Sequence, residues 1–239
     1  MTKHIHTGYQ VSAAMSVRQS MTAGQSAPIW MGVAAGAAIA LTGAVLGHLG
    51  VGKMGIETAL RLTARLAFLL FWPSYVGGAL VALFGPRFQL VKRRARELGL
   101  AFASVLTVHL GLIASLCWIG SAPPVRIFVI FGIGVFWTYL LALFSIERFG
   151  RVLGSMGWWI LRNIGSNYIA YAFALDFLSP LHRGTVRHPV EYVPFAVLAV
   201  LGPALRLIAA LKLSAQSTYG KVILNRVLNP GAKCARLEK

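Results

Sequence analysis

The sequence predicts an all-α fold: a polytopic bundle of six transmembrane helices with both termini in the cytoplasm. Three observations predict it. Of 239 residues, 57% are hydrophobic and only 12% are charged, with a mean hydropathy of +0.69; a soluble domain carries about twice that share of charge. The apolar residues come in runs of about 20, the length at which a helix crosses the hydrocarbon core. The basic residues fall between the runs and do so unequally. With six spans, sixteen Lys and Arg lie on the side of the termini and six on the other, Arg206 lying within the last run. That excess marks the cytoplasmic side.

The elements follow in order. Residues 1–27 are polar and rich in Ser, Thr and Gln, and read as a flexible cytoplasmic lead. The first apolar run, about Pro28–Gly50, is full length and follows a long polar segment, so it reads as a retained helix and not a cleaved signal. Its Gly32, Gly36, Gly43 and Gly47 make a small-residue face that a neighbouring helix or lipid can approach closely. Helix two is expected over about Ala59–Phe84 and helix three over about Leu98–Gly120, where "SAPP" breaks the chain. Helix four covers about Val125–Ile146 and helix five about Trp158–Leu178. After a polar loop, helix six covers about Val193–Leu213, with Pro203 to be absorbed by a kink or by packing. The membrane domain therefore occupies residues 28–213, and residues 214–239 form a basic cytoplasmic tail.

A net charge of +17 raises nucleic acid as a partner. The distribution argues against it, because loop cations that orient the chain and meet anionic headgroups account for the charge. The expected partners are membrane lipids and other membrane-protein subunits. Cys117 and Cys234 fall on a helix and in the tail, without metal-site spacing, and no metal site is expected. No glycine-rich dinucleotide turn stands between a strand and a helix. No inverted repeat or paired broken helix suggests a transporter. No catalytic group stands out, and the sequence leaves open whether the chain is an enzyme. Trp72, Trp118, Trp158 and Trp159 are placed near helix ends, as an interfacial belt requires.

One residue breaks the apolar pattern of helix three. In "KRRARELGLAFASVLTVHLGLIASLCW", five charges crowd the first six residues, and His109 then stands alone in an uncharged stretch. A polar group at that depth is costly and usually has a partner. The residues alone favour a hydrogen bond from His109 to a Ser or a backbone carbonyl on a neighbouring helix.

The segment "RRARELGL", followed by eight residues and His109, resembles helix three of the ferric-reductase-like transmembrane family. "GIETALRLTARLAFLLF" resembles the opening of that family's helix two. "LGSMGWWILRNI" resembles its approach to helix five, and "YVPFAVLAVLGPALRL" its last helix. The resemblance spans about residues 50–210. It implies haem b held between helices by paired His, with His109 as the ligand from helix three. Two such axial imidazoles make a low-spin centre that passes electrons.

Helix five departs from the pattern. Arg162 stands where the first His is expected, and Leu175, with Asp176 beside it, where the second is. Arginine stays protonated and cannot serve as a ligand. Only His48 or His182 could supply a replacement near the outer leaflet. Without haem, Arg162 reads as snorkelling to headgroups and Asp176 as pairing with Arg183 or Arg187. Asn163, Ser166, Asn167 and Tyr171 share one helical stripe, expected to face inward toward His109. The function expected is a bacterial-type inner-membrane protein of ferric-reductase-like fold. It would be degenerate in haem binding and act as a structural or accessory subunit of a membrane complex. The alternative is a haem b or quinone-linked electron-transfer protein using His109.

Overall fold

A computed structural model describes the backbone of residues 3–145, 147–182 and 191–228, and the side chains of 26–145, 153–179 and 191–216. The described residues are helical, without strands. The elements are α1 (Lys3–Leu49), α2 (Lys53–Phe84), a 3₁₀ turn (Pro86–Phe88), α3 (Gln89–Trp118), α4 (Val125–Ser145), α5 (Glu147–His182) and α6 (Val193–Leu228). α1 runs from the N-terminal segment through Pro28 into the first apolar run, and α6 continues past the apolar run into the tail.

Five helical segments are long and apolar enough to cross a membrane: Ser26–Leu49, Lys53–Phe84, Pro86–Trp118, Val125–Ser145 and Val193–Gln216. α5 is not among them. Its first half carries Arg162, Asn163, Ser166 and Asn167, which dilute the apolar signal. α5 packs all the same, against α4 on one side and α6 on the other.

Side-chain contacts fix the helix directions. Ser26 of α1 donates to Glu97 of α3, and further along both helices Ser104 donates to the Met31 carbonyl at 3.0 Å, so α1 and α3 run parallel. Ser74 donates to the Ala95 carbonyl at 2.6 Å and Thr63 meets His109 at 2.9 Å, so α2 opposes α3. Trp72 donates to the Leu198 carbonyl at 2.7 Å and Lys212 to the Ala82 carbonyl at 3.1 Å, so α6 runs with α2. Arg206 reaches Asn163 and Ser166 while Phe195 lies 5.3 Å from Phe177, and Gly165 meets Trp137 while Gly134 meets Ala172, so α5 opposes both α6 and α4. The helices therefore alternate. The end where α2 passes into α3 collects Lys92, Arg93, Arg94 and Arg96 and is called the basic end below.

Two glycines shape this path. Gly50 adopts φ +80 after α1, and a Cβ at Gly55 would collide with the Gly50 carbonyl, so only glycine lets α2 start so close. Gly154 has φ 64 and ψ 176 inside α5 and bends it ahead of the part that packs against α4 and α6.

The core is a cluster of aromatic rings near mid-bundle. Phe68 lies 5.1 Å from Phe173, 5.0 Å from Phe177 and 6.2 Å from Phe195, and Phe71 lies 5.4 Å from Phe102. Ring contacts of this kind each add about 0.5–1.5 kcal/mol beyond area burial. In lipid they matter more than in water-soluble cores, because helices there associate by close packing and hydrogen bonds and not by escape from water.

Candidate functional site

A cavity of about 340 Å³ opens toward the far end, between α2, α3, α4 and α5. His109 lines it, and so does Asp176 of α5. The rest of the wall is mainly apolar, with Phe102, Phe131 and Phe173 among its rings and Arg61 and Arg65 also on it. Arg65 bonds Glu191 at 3.1 Å and stacks over Tyr192 at 5.1 Å, which ties α2 to the start of α6.

His109 is held from one side. Its Nδ1 lies 2.9 Å from the Thr63 hydroxyl, and Thr63 is fully buried. The same hydroxyl lies 2.9 Å from the Ala59 carbonyl within α2. The hydroxyl gives its one hydrogen to that carbonyl and so accepts from Nδ1–H, which leaves Nε2 as the ring atom for the cavity. The partner is thus a hydroxyl, of the kind the residues alone favoured, but it comes from a Thr.

Haem b held in the family's manner needs a second imidazole across the iron. Among the described residues, His109 is the single His of this wall, and α5 offers the carboxylate of Asp176 there. Arg162 does not reach this cavity; it lines the other one. His48 sits exposed in the last turn of α1. The side chain of His182 lies outside the described residues, as do Arg183 and Arg187, the partners expected for Asp176. The described wall does not fit a bis-His haem.

A larger cleft, about 1500 Å³, opens at the basic end between α2, α3, α4, α5 and α6. Lys92, Arg93, Arg96, Arg162 and Arg206 line it. Among the described residues no Asp or Glu does. Arg206 is held on several sides. It donates to Asn163 Oδ1 at 2.6 Å and to Ser166 Oγ at 2.9 Å, and its guanidinium lies 4.4 Å from the centre of the Tyr75 ring. Tyr75 donates in turn to Asn167 Oδ1 at 2.7 Å. Every one of these partners is neutral, so the arginine keeps its whole charge. Glu97, the acidic residue of α3, is engaged elsewhere: Arg94 donates to it at 2.8 Å and Ser26 donates from α1.

The polar stripe of α5 therefore faces inward, but its target is not His109. Asn163, Ser166 and Asn167 serve Arg206 and Tyr75 in the basic cleft, while Tyr171 is exposed. Sequence reasoning missed Arg206. The available signal was a lone arginine inside the apolar run of α6, which in a membrane demands a partner as much as a lone histidine does. Trp72 is a second correction. It lies well inside α2 and bonds the Leu198 carbonyl of α6, so it is a bundle residue and not part of an interfacial belt. Trp118, by contrast, is 92% exposed at the end of α3.

The chain matches no family model, and no curated protein or solved structure matches it.

Proposed function

We propose that the chain is a six-span protein of a bacterial-type cytoplasmic membrane, with both termini in the cytoplasm. In layout it is ferric-reductase-like, it carries no haem between paired imidazoles, and it works as a structural or accessory subunit of a membrane complex. The observation that carries this reading is the His109 cavity, which has the helix-three imidazole and a carboxylate on the α5 wall. The alternation of α1 to α6 supports six crossings, and the excess of Lys and Arg at the basic end supports the orientation. Phe128, Ile133 and Phe136 of α4 face outward, and nothing lies within 4 Å of a Cβ built at Gly32, Gly36, Gly43 or Gly47 of α1. Both faces suit lipid or a neighbouring subunit. The test is purification in mild detergent with an absorbance spectrum of the same sample. The expected result is companion proteins and no stoichiometric haem; a low-spin bis-His haem b spectrum at one per chain would overturn the proposal.

One observation favours a second reading. A mainly apolar cavity of about 340 Å³ with a few polar groups on its wall, His109 and Asp176 among them, is within the usual size of a small-molecule site. Thr63 donates to the Ala59 carbonyl and accepts from Nδ1–H, so Nε2 of His109 can accept a hydrogen bond from the hydroxyl of a reduced quinone. A quinone would then bind there, and the chain would pass electrons within the membrane. Extraction of the purified protein should release quinone from wild type and less from His109→Ala. Equal quinone content in the two rules this reading out.

A further inference from the structure

The basic cleft is a site of its own. It gathers cations from three helices: Lys92, Arg93 and Arg96 from the first turns of α3, Arg162 from α5 and Arg206 from α6. A charged side chain within a membrane helix is costly even before it meets a like charge. Such a cost is normally offset by a carboxylate. None lines the cleft among the described residues, and the nearest acidic group in sequence, Glu97, is already held by Arg94 and Ser26. The polar network does not supply an anion either. Asn163, Ser166 and Asn167 accept hydrogen bonds as neutral groups, and Tyr75 offers the face of its ring. What that network does is aim. It holds Arg206 on two acceptors and one aromatic face, so a planar fork of donors is set before a ligand arrives. Two of the five guanidinium N–H bonds go to Asn163 and Ser166, leaving donors over for a tetrahedral oxyanion, which arginine grips in pairs.

We propose that this cleft binds a phosphate group, with Arg206 as the oriented ligand and Arg162, Lys92 and Arg93 completing the charge. The cleft opens at the basic end, and Leu141, Phe144, Leu207 and Leu213 give it an apolar side. The phosphate therefore has two sources of the same chemistry: the headgroup of an anionic phospholipid, its acyl chains on that apolar side, or a soluble phosphate compound entering from the aqueous end. Basic pockets between transmembrane helices recognise headgroups in this way. The site stands whether or not the His109 cavity holds a ring.

The experiment uses the full chain in phosphatidylcholine nanodiscs with and without phosphatidylglycerol, and reads retained lipid by native mass spectrometry. A parallel arm titrates inorganic pyrophosphate into the phosphatidylcholine discs by calorimetry. Selective retention of phosphatidylglycerol identifies a headgroup site; saturable pyrophosphate binding identifies a soluble ligand. In either case Arg162→Gln should weaken binding about tenfold, the scale of one charge-assisted hydrogen bond. Arg162→Gln leaves the hydrogen bonds of Arg206 intact, so it tests the site even where Arg206→Gln fails to fold. Arg126→Gln, on α4 at the far end, should bind as wild type does. Equal retention of both lipids together with no pyrophosphate binding overturns the proposal. So does an equal loss in Arg126→Gln and Arg162→Gln, which would mean attraction to net charge alone.

Discussion

Thr63 and His109 form a side-chain hydrogen bond that joins α2 to α3, and the Thr63 hydroxyl is buried. In membranes such pairs contribute about 0.6 kcal/mol on average and seldom more than about 1.7, because an unfolded span also finds partners. A double-mutant cycle of Thr63→Val and His109→Leu, read by denaturant unfolding in detergent, should return a coupling of about 0.6 kcal/mol. A coupling of zero would mean that the imidazole is held by packing alone. The prominence of His109 in the sequence came from its isolation, and the same isolation should have drawn notice to Arg206. A lone cation near the end of a run passes as a snorkelling side chain. Only the fold shows that Arg206 points across to Asn163 and Ser166 instead of out to headgroups.

At the scale of the elements, α2 and α6 pack tightly at Gly202. A Cβ there would lie 3.2 Å from Trp72 Nε1 and 3.2 Å from Tyr75 Cε1. Leucine at this position would push both rings away, breaking the bond from Trp72 to the Leu198 carbonyl and tilting the face on which Arg206 rests. Gly202→Leu should destabilise the bundle by about 1–3 kcal/mol, the usual cost of overpacking, and unfolding in detergent would register it. Gly78→Leu, with nothing within 4 Å of its Cβ, is the matched control and should change little by comparison. The apolar runs made five of these helices legible, since length and hydropathy are properties of the chain alone. α5 was legible by count, and its inward stripe by period, because 3, 1 and 4 residue steps fall on one face. The bend at Gly154 and the target of that stripe were not legible. Both depend on which helix lies opposite, and that is set by packing at positions far apart in the sequence.

The whole molecule has an uneven charge along its axis, with the α3 cluster, Arg162, Arg206 and Lys212 toward one end and Lys53, Arg61, Arg65 and Arg126 toward the other. Under the proposed orientation, a green fluorescent protein fused after Lys239 should fluoresce and an alkaline phosphatase fused there should be inactive. A phosphatase inserted between Val51 and Lys53, in the α1–α2 turn, should be active. The reverse pattern would invert the molecule and place the basic cleft on the outer face, where anionic lipid and phosphate compounds of the cell interior could not reach it.

Phe102 lines both cavities, and so do Thr138 and Ile169. At that level the basic cleft and the His109 cavity are separated by a partition one side chain thick, backed by Phe71 on one side and Phe173 on the other. If water fills both spaces, a membrane voltage falls mainly across this thin septum and not across the full hydrocarbon thickness of about 30 Å. An elementary charge crossing it would gain about 2.3 kcal/mol per 100 mV within a few side-chain diameters. The native rings make that layer an insulator. Truncating it in Phe102→Ala should join the two spaces, and liposomes holding the variant should leak protons under an imposed potential where wild-type liposomes stay tight. Equal leak rates would show that the septum is thicker than one ring.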